Sequence, residues 1–150
     1  MSAPHPGDHS AAPGPLAGLR VLELADEKGQ FCGKLMADLG ADVLKIEPPG
    51  GQHTRLVGPF LDDLPHRERS LSFWHYNTSK RGLTLHLEHP DGQALFRRLM
   101  PTADIVLETF TPGYLSSLGL GYDALALLNP RLIMCSLTPF GQTGPWRDFL

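Results

Sequence analysis

The sequence predicts an α/β fold, a Rossmann-like and mostly parallel sheet with flanking helices. Short β-favouring runs alternate along the chain with segments of helical apolar spacing, and glycine or proline punctuates most of the boundaries. The chain has 150 residues, 41% of them hydrophobic and 19% charged, which is typical of one soluble domain with a core of its own. Disorder throughout the chain is therefore excluded.

The first third predicts a β-α-β unit. Residues 20–24 (RVLEL) form a strand, and 30–39 carry apolar residues at helical spacing before the helix stops at Gly40. Residues 43–47 (VLKIE) form the next strand, which ends at the Pro/Gly run 48–51. Two strands joined by a helix lie parallel, so this unit begins a parallel sheet.

The rest of the chain continues the alternation after a long excursion over 52–79. An irregular segment of that length in a compact domain is expected to line a site or an interface. The tail 1–15 is poor in large apolar residues and is predicted to be a flexible leader. Further strands are predicted at 83–87, 103–107 and 132–137, and further helices at 90–99, 114–118 and 122–128.

Composition excludes several classes of partner. There are 13 Lys and Arg against 16 Asp and Glu, a net charge of −3, so no excess of positive charge is present to bind nucleic acid. No signal peptide and no apolar run long enough to span a membrane is found, which predicts no membrane partner. The two distant cysteines, Cys32 and Cys135, fit a reducing compartment, and the expected location is cytoplasmic.

Spacing alone identifies a ligand-binding scaffold and no catalytic centre. Gly29 and Gly33 follow the first strand without forming a dinucleotide or triphosphate fingerprint. The turn over 25–30 could hold an anion at the helix amino terminus or be an ordinary turn. His86 and His89 do not have the spacing of a zinc motif, so no metal is expected.

Four cations surround the β-α-β unit and the excursion: Lys45, Arg55, Lys80 and Arg81. Converging cations would suit a ligand with several phosphates. Solvated surface charge is the alternative explanation for each of them.

Several segments, taken together and in order, resemble family III coenzyme A transferases. This is the CaiB/BaiF-like superfamily, which includes formyl-CoA transferase and 2-methylacyl-CoA racemase. The resemblance covers the chain from Leu16 onward. Its segments are 15–24 (PLAGLRVLEL), 35–51 (LMADLGADVLKIEPPGG), 77–83 (NTSKRGL), 103–113 (ADIVLETFTPG), and 129–133 (NPRLI) with 140–145 (FGQTGP).

The resemblance implies that 16–150 is the amino-terminal part of a CoA-binding large domain. Members of the family are several hundred residues long and form interlocked homodimers. Their substrates are an acyl-CoA and a carboxylic acid, and CoA passes between them through an aspartyl-CoA thioester. The nucleophilic aspartate lies beyond Leu150, so no residue of this chain is assigned as catalytic.

The same resemblance implies which residues contact CoA. The turn 26–28 matches a loop at the pantetheine side, and Pro48 stands where many members place an arginine beside the adenine. Lys45, Arg55 or Lys80 is a hypothetical replacement for that missing charge. The implied set is Asp26, Glu27, Lys28, Pro48, Lys80, Leu83, Leu85, His86, Thr109, Phe110 and Tyr114.

Two other functions remain open at this stage. A 2-methylacyl-CoA racemase or epimerase is similar over the same stretch, but removes a proton from the α-carbon with a His and Asp pair. The third alternative is a CoA-binding fragment without chemistry of its own.

Overall fold

The computed structural model describes residues 14–149 and contains one five-stranded sheet. All pairings are parallel, and the strand order is β3-β2-β1-β4-β5. The strands are β1 (Arg20–Leu24), β2 (Asp42–Glu47), β3 (Arg81–Thr84), β4 (Ile105–Glu108) and β5 (Ile133–Ser136). The helices are α1 (Gln30–Asp38), α2 (Leu71–Tyr76), α3 (Pro90–Leu99), α4 (Tyr114–Ser117) and α5 (Tyr122–Ala126). The predicted α/β class and parallel sheet are confirmed.

The core has two layers because alternate residues of a strand point to opposite faces. Leu22 and Leu24 of β1 belong to the larger cluster, which includes Phe96 of α3 and residues of α4 and α5. Val21 belongs to the smaller cluster, where Ala37 of α1 packs. One face of the sheet is therefore covered by α1, and the other by α3, α4 and α5.

The predicted strand at 83–87 is wrong in its bounds. The strand β3 begins at Arg81 and ends at Thr84. Leu85 still donates its N–H to the carbonyl of Glu47, at 2.8 Å, but the chain then turns, and His89 donates to the carbonyl of His86 at 3.1 Å. Leu85 and Leu87 are buried at this turn. Their alternation with polar residues resembles that of a strand, although the backbone here forms the turn that leads into α3.

The excursion over 52–79 contains a helix that the sequence did not reveal. Ser70 caps α2, its Oγ accepting the N–H of Phe73 at 3.0 Å, and the same hydroxyl donates to the carbonyl of Val57. Six residues are too few for apolar periodicity to show. Two short 3-10 turns, His53–Leu56 and Leu61–Asp63, precede the helix.

Most of the predicted leader, residues 1–13, lies outside the described residues. Gly14 and Gly40 pack closely, with the Cα of Gly14 3.1 Å from the position of a Cβ on Gly40. Among residues 14–149, no helix is long and apolar enough to cross a membrane.

Glycine is required where α3 begins. A Cβ at Gly92 would lie 1.9 Å from the carbonyl oxygen of His86, which is main chain and cannot rotate away. The first turn of α3 therefore rests directly on the backbone that follows β3. This contact fixes the course of residues 85–88, which line the site described below.

Substituting Gly92→Ala is expected to destabilise the fold by roughly 1–3 kcal/mol, because the new methyl forces α3 away from the His86 backbone. The measurement is chemical denaturation of the full-length protein. The matched control is Gly82→Ala in β3, where a Cβ meets nothing within 4 Å. Equal stability of the two variants would contradict the proposed contact.

Candidate functional site

A cavity of about 490 Å³ opens at the carboxyl ends of the strands. In open parallel sheets this edge is where ligands bind, since the loops that follow the strands converge there. Its lining comes from the ends of β1 and β2, the segments after β3 and β4, and the start of α4. The lining residues are Leu24, Asp26, Ile46, Glu47, Pro48, Pro49, Gly51, Gln52, His53, Leu85, His86, Leu87, Glu88, Thr109, Phe110 and Tyr114.

Apolar side chains contribute much of the cavity lining. Leu24, Ile46 and Leu85 are buried members of the larger core cluster, so this part of the cavity is continuous with the core. The rings of Phe110 and Tyr114 lie with centroids 4.6 Å apart and planes inclined by 35°. Such a pair offers aromatic surface on which a planar ring can pack.

Tyr114 also contributes a polar group. Its hydroxyl donates to Oε1 of Glu88 at 3.2 Å. Burial, together with the neighbouring Glu88 carboxylate, raises the pKa of Tyr114. The hydroxyl therefore stays protonated and acts as a donor near neutral pH.

The main chain beside Phe110 is held by a buried carboxylate. Oε2 of Glu108, at the end of β4, accepts the N–H of Phe110 at 2.7 Å. Burial raises the pKa of Glu108, and hydrogen bonds from Ser136 and Phe110 only partly offset this effect. Glu108 itself lines a second cavity of about 180 Å³, and its bond to the Phe110 N–H connects the linings of the two cavities.

Asp26 in the β1–α1 turn is an ionised carboxylate with internal partners. Its Oδ2 receives the Nζ of Lys28 at 2.6 Å, and its own N–H donates to Oγ1 of Thr109 at 2.9 Å. Burial alone would raise the pKa of Asp26, but hydrogen bonds to Lys28 and Thr109 outweigh burial and lower it. The turn is thereby tied to the loop after β4.

Glu27 and His53 meet at the rim of the cavity. Oε2 of Glu27 lies 2.7 Å from Nε2 of His53, and both side chains are exposed. Asp26 lies close enough for the three to surround a cation, with ligand atoms within 4.8 Å of one another. Each already has a polar partner, Asp26 through Lys28, and we assign no metal to them.

The loop after β2 forms one wall and is fixed by Glu47. Its Oε1 accepts the N–H of Gln52 at 3.0 Å and Nε of Arg55 at 2.8 Å, while Oε2 accepts Nη2 of Arg55 at 2.7 Å. Burial would raise the pKa of Glu47, but these hydrogen bonds and the guanidinium charge lower it. Glu47 is therefore charged in this structure.

Lys80 is not brought to the cavity. Its Nζ bonds to Glu23 at 3.0 Å, to the carbonyl of Gln30 at 2.8 Å and to Oδ1 of Asn77 at 2.9 Å, so its three N–H bonds are all used. The Nζ of Lys45 bonds to the same Glu23 carboxylate at 2.9 Å and to the carbonyl of Ala25. We call Glu23, Lys45 and Lys80 the buried cluster.

The buried cluster holds two ammonium groups against one carboxylate. Side-chain exposure is 0% for Glu23, 3% for Lys45 and 1% for Lys80. Burial lowers the pKa of Lys80; the Glu23 carboxylate opposes that effect, and the Lys45 charge adds to it. Space for the carboxylate exists because position 33 is glycine: a Cβ there would lie 1.7 Å from Oε2 of Glu23.

Comparison with known proteins identifies the family. The sequence model of CoA-transferase family III matches residues 16–150. The chain belongs to this family. The predicted resemblance is therefore confirmed.

Curated relatives share close to half of their aligned residues with this chain. Succinate–glutarate CoA-transferase of Agrobacterium fabrum is 48% identical over 139 residues, which cover 90% of this chain and 35% of the relative. Succinyl-CoA–D-citramalate CoA-transferase of Chloroflexus aurantiacus is 48% identical over 140 residues, covering 91% of this chain and 33% of the relative. The chain thus spans about a third of the length of these relatives.

A solved structure supports the same assignment. A CaiB/BaiF family protein from Brucella suis superposes with a TM-score of 0.83 at 43% identity, covering 92% of this chain and 37% of that one. Both curated relatives described above are named CoA-transferases, and neither is named a racemase.

The structure gathers most of the residues that the family resemblance implied. Glu27 and Lys28 lie beside Asp26 at the rim of the cavity. Leu83 lies within β3, is partly buried and does not line the cavity. Lys80 is the residue that is clearly elsewhere. The implied residues that line the cavity are Asp26, Pro48, Leu85, His86, Thr109, Phe110 and Tyr114.

Other lining residues were missed by sequence reasoning. Leu24 and Ile46 end or nearly end their strands, and that position alone could have identified them. Glu47 ends β2 and carries the same strand-end signal, whereas His53, in the loop beyond it, has none. Lys45 and Arg55, considered as phosphate partners, are bound to carboxylates and do not line the cavity.

The buried cluster predicts an unequal response to mutation. Glu23→Gln leaves two buried ammonium groups without a counter-charge and is expected to cost about 3–5 kcal/mol. Lys80→Met is expected to cost less, because Lys45 still neutralises Glu23. Chemical denaturation of the full-length variants checks the order, and a greater loss for Lys80→Met would contradict it.

Proposed function

We propose that residues 16–150 form the amino-terminal part of a CoA-binding large domain, and that the full-length protein transfers CoA from an acyl-CoA to a carboxylic acid. One observation carries the proposal. Seven of the eleven residues implied for CoA, spread from Asp26 to Tyr114 in sequence, line one cavity at the carboxyl edge of the sheet.

The lining suits the parts of CoA. The aromatic surface of Phe110 and Tyr114, in the same lining as Pro48, would pack against adenine. The buried apolar side chains of Leu24, Ile46 and Leu85 would contact the methyl groups of pantetheine. The turn at Asp26 would contact the part of the pantetheine arm nearer the thioester.

The proposed reaction uses an aspartate of the full-length protein that lies beyond Leu150. Its carboxylate attacks the thioester carbonyl, CoA leaves as a thiolate, and a mixed anhydride forms. The thiolate then attacks the aspartyl carbonyl, which releases the donor acid and leaves an aspartyl-CoA thioester. The acceptor carboxylate then attacks the aspartyl carbonyl, which releases CoA as a thiolate and forms a second mixed anhydride. Attack of this thiolate on the acceptor carbonyl gives the new acyl-CoA and frees the aspartate. Asp26 and Glu47, both held by cations, are unsuited to this nucleophilic role.

We propose succinyl-CoA as the donor and a dicarboxylic acid as the acceptor. The names of the relatives support this choice. Succinyl-CoA:(R)-benzylsuccinate CoA-transferase subunit BbsE of Thauera aromatica is 44% identical over 126 residues, covering 84% of this chain and 31% of the relative. The Chloroflexus relative likewise combines succinyl-CoA with D-citramalate in its name. We further propose a cytoplasmic, interlocked homodimer, which sedimentation of the full-length protein would test.

The full-length protein incubated with succinyl-CoA and glutarate is expected to form glutaryl-CoA and free succinate. Mass spectrometry of the thioesters measures the transfer, and a parallel incubation with a 2-methylacyl-CoA in deuterated water separates the alternatives. Deuterium at the α-carbon of 2-methylacyl-CoA without exchange of CoA would instead identify a racemase. Binding of CoA with no turnover on any dicarboxylic acid would indicate a binding protein.

Phe110→Ala is expected to weaken CoA binding about tenfold, since stacking of a base on an aromatic ring is worth roughly 1–3 kcal/mol. Titration calorimetry with CoA measures the change. Leu127→Ala serves as the control, because Leu127 is 84% exposed and does not line the cavity. Unchanged affinity in Phe110→Ala would exclude the adenine placement.

A further inference from the structure

One wall of the cavity is a single loop. Residues 48–53 supply Pro48, Pro49, Gly51, Gln52 and His53 to the lining. The loop starts where β2 ends and leads into the 3-10 turn that contains Arg55. Its shape therefore determines that side of the site.

The loop has little backbone bonding of its own. Gly51 donates to the carbonyl of Pro48 at 2.9 Å, and Arg55 donates to the carbonyl of Gln52 at 3.1 Å. Gly50 and Gly51 both adopt positive φ, 87° and 79°, which glycine reaches without steric cost, and glycine loses more conformational freedom on folding than any other residue. Side-chain contacts must supply the order that the backbone lacks.

Those contacts converge on Glu47 and Arg55. Glu47 binds the loop at Gln52 and holds Arg55 through both carboxylate oxygens, which closes the loop at its two ends. The guanidinium lies 4.0 Å from the centre of the Phe73 ring, and its Nη1 reaches Glu68 at 3.0 Å. A Cβ at Gly51 would lie 2.7 Å from Cδ of Arg55, so the loop packs directly on this side chain.

The two carboxylates on Arg55 are unequal. The Glu47 side chain is 8% exposed, whereas that of Glu68 is 69% exposed. A solvated pair contributes little, while a shielded two-point pair fixes geometry. Lysine could not replace Arg55, because an ammonium group lacks the planar fork that meets both oxygens.

We propose that Glu47 and Arg55 are positioning residues for acyl-CoA: their ion pair holds the loop 48–53 in its binding shape before the ligand arrives. The proposal rests on the proposed function of the cavity. Neither residue takes part in the chemistry. Their effect is to remove the ordering cost that binding would otherwise incur.

The test uses Glu47→Gln and Arg55→Lys in the full-length protein. Each is expected to raise the Kd for CoA and the KM for acyl-CoA about tenfold, with kcat changed less than twofold, because a preorganised wall affects binding rather than the reacting carbonyl. The matched control is Glu68→Gln, which removes the exposed partner of the same guanidinium and should change neither constant more than twofold. A fall in kcat at unchanged KM would overturn the proposal.

A double variant separates positioning from two independent defects. Glu47→Gln combined with Arg55→Lys is expected to lose no more affinity than the worse single variant, since both break one interaction. A fold-increase in Kd equal to the product of the two single-variant increases would overturn the proposal.

Hydrogen exchange without ligand provides a readout that does not depend on CoA. The amides of Gly51 and Gln52 are expected to exchange at least tenfold faster in both single variants, while those of β1 and β2 keep their protection. Wild-type exchange in the loop would overturn the positioning role even if CoA binds. Faster exchange in a protein that binds no CoA would refute the proposed function while leaving the loop mechanism supported.

Discussion

The arrangement of the site depends on the shared carboxylate of Glu23. It bridges Lys45 of β2 and Lys80, and Lys80 in turn bonds to the first turn of α1. A buried charge is tolerated only with partners of good geometry. Leu24 and Ile46, the immediate neighbours of Glu23 and Lys45 in the chain, point to the opposite face and line the cavity. The ion pairs of Glu23 therefore hold β1 and β2 together on the face of the sheet opposite the cavity.

Local patterns were sufficient for most of the fold. The β1 bounds and the start of α1 follow from apolar spacing, and the glycine after α1 marks its end. The end of β3 did not follow, because Leu85 and Leu87 alternate like strand residues while packing into the core at a turn. Burial by distant elements, rather than local preference, decides the conformation there.

The candidate site was predictable to the extent that it lies at strand ends. Thr109 and Phe110, which the family resemblance implied, line the cavity, whereas Lys80, a hypothesis based on its charge, lies outside it. A cation beside a turn suggests a phosphate partner, and nothing local reveals that its true partner is Glu23, 57 residues away. The same limit applies to Glu47, whose function depends on the side chain of Arg55 and on the loop between them.

The absence of a side chain at Gly33 couples the residue types that can occupy positions 23 and 33. Because a methyl group there would overlap the Glu23 carboxylate, a larger residue at 33 requires that carboxylate to shift from its present position. Aspartate, one methylene shorter, would withdraw from α1 but also from the two ammonium groups. Evolutionary drift at either position is thus coupled to the other, and tolerated changes would arise as compensating pairs.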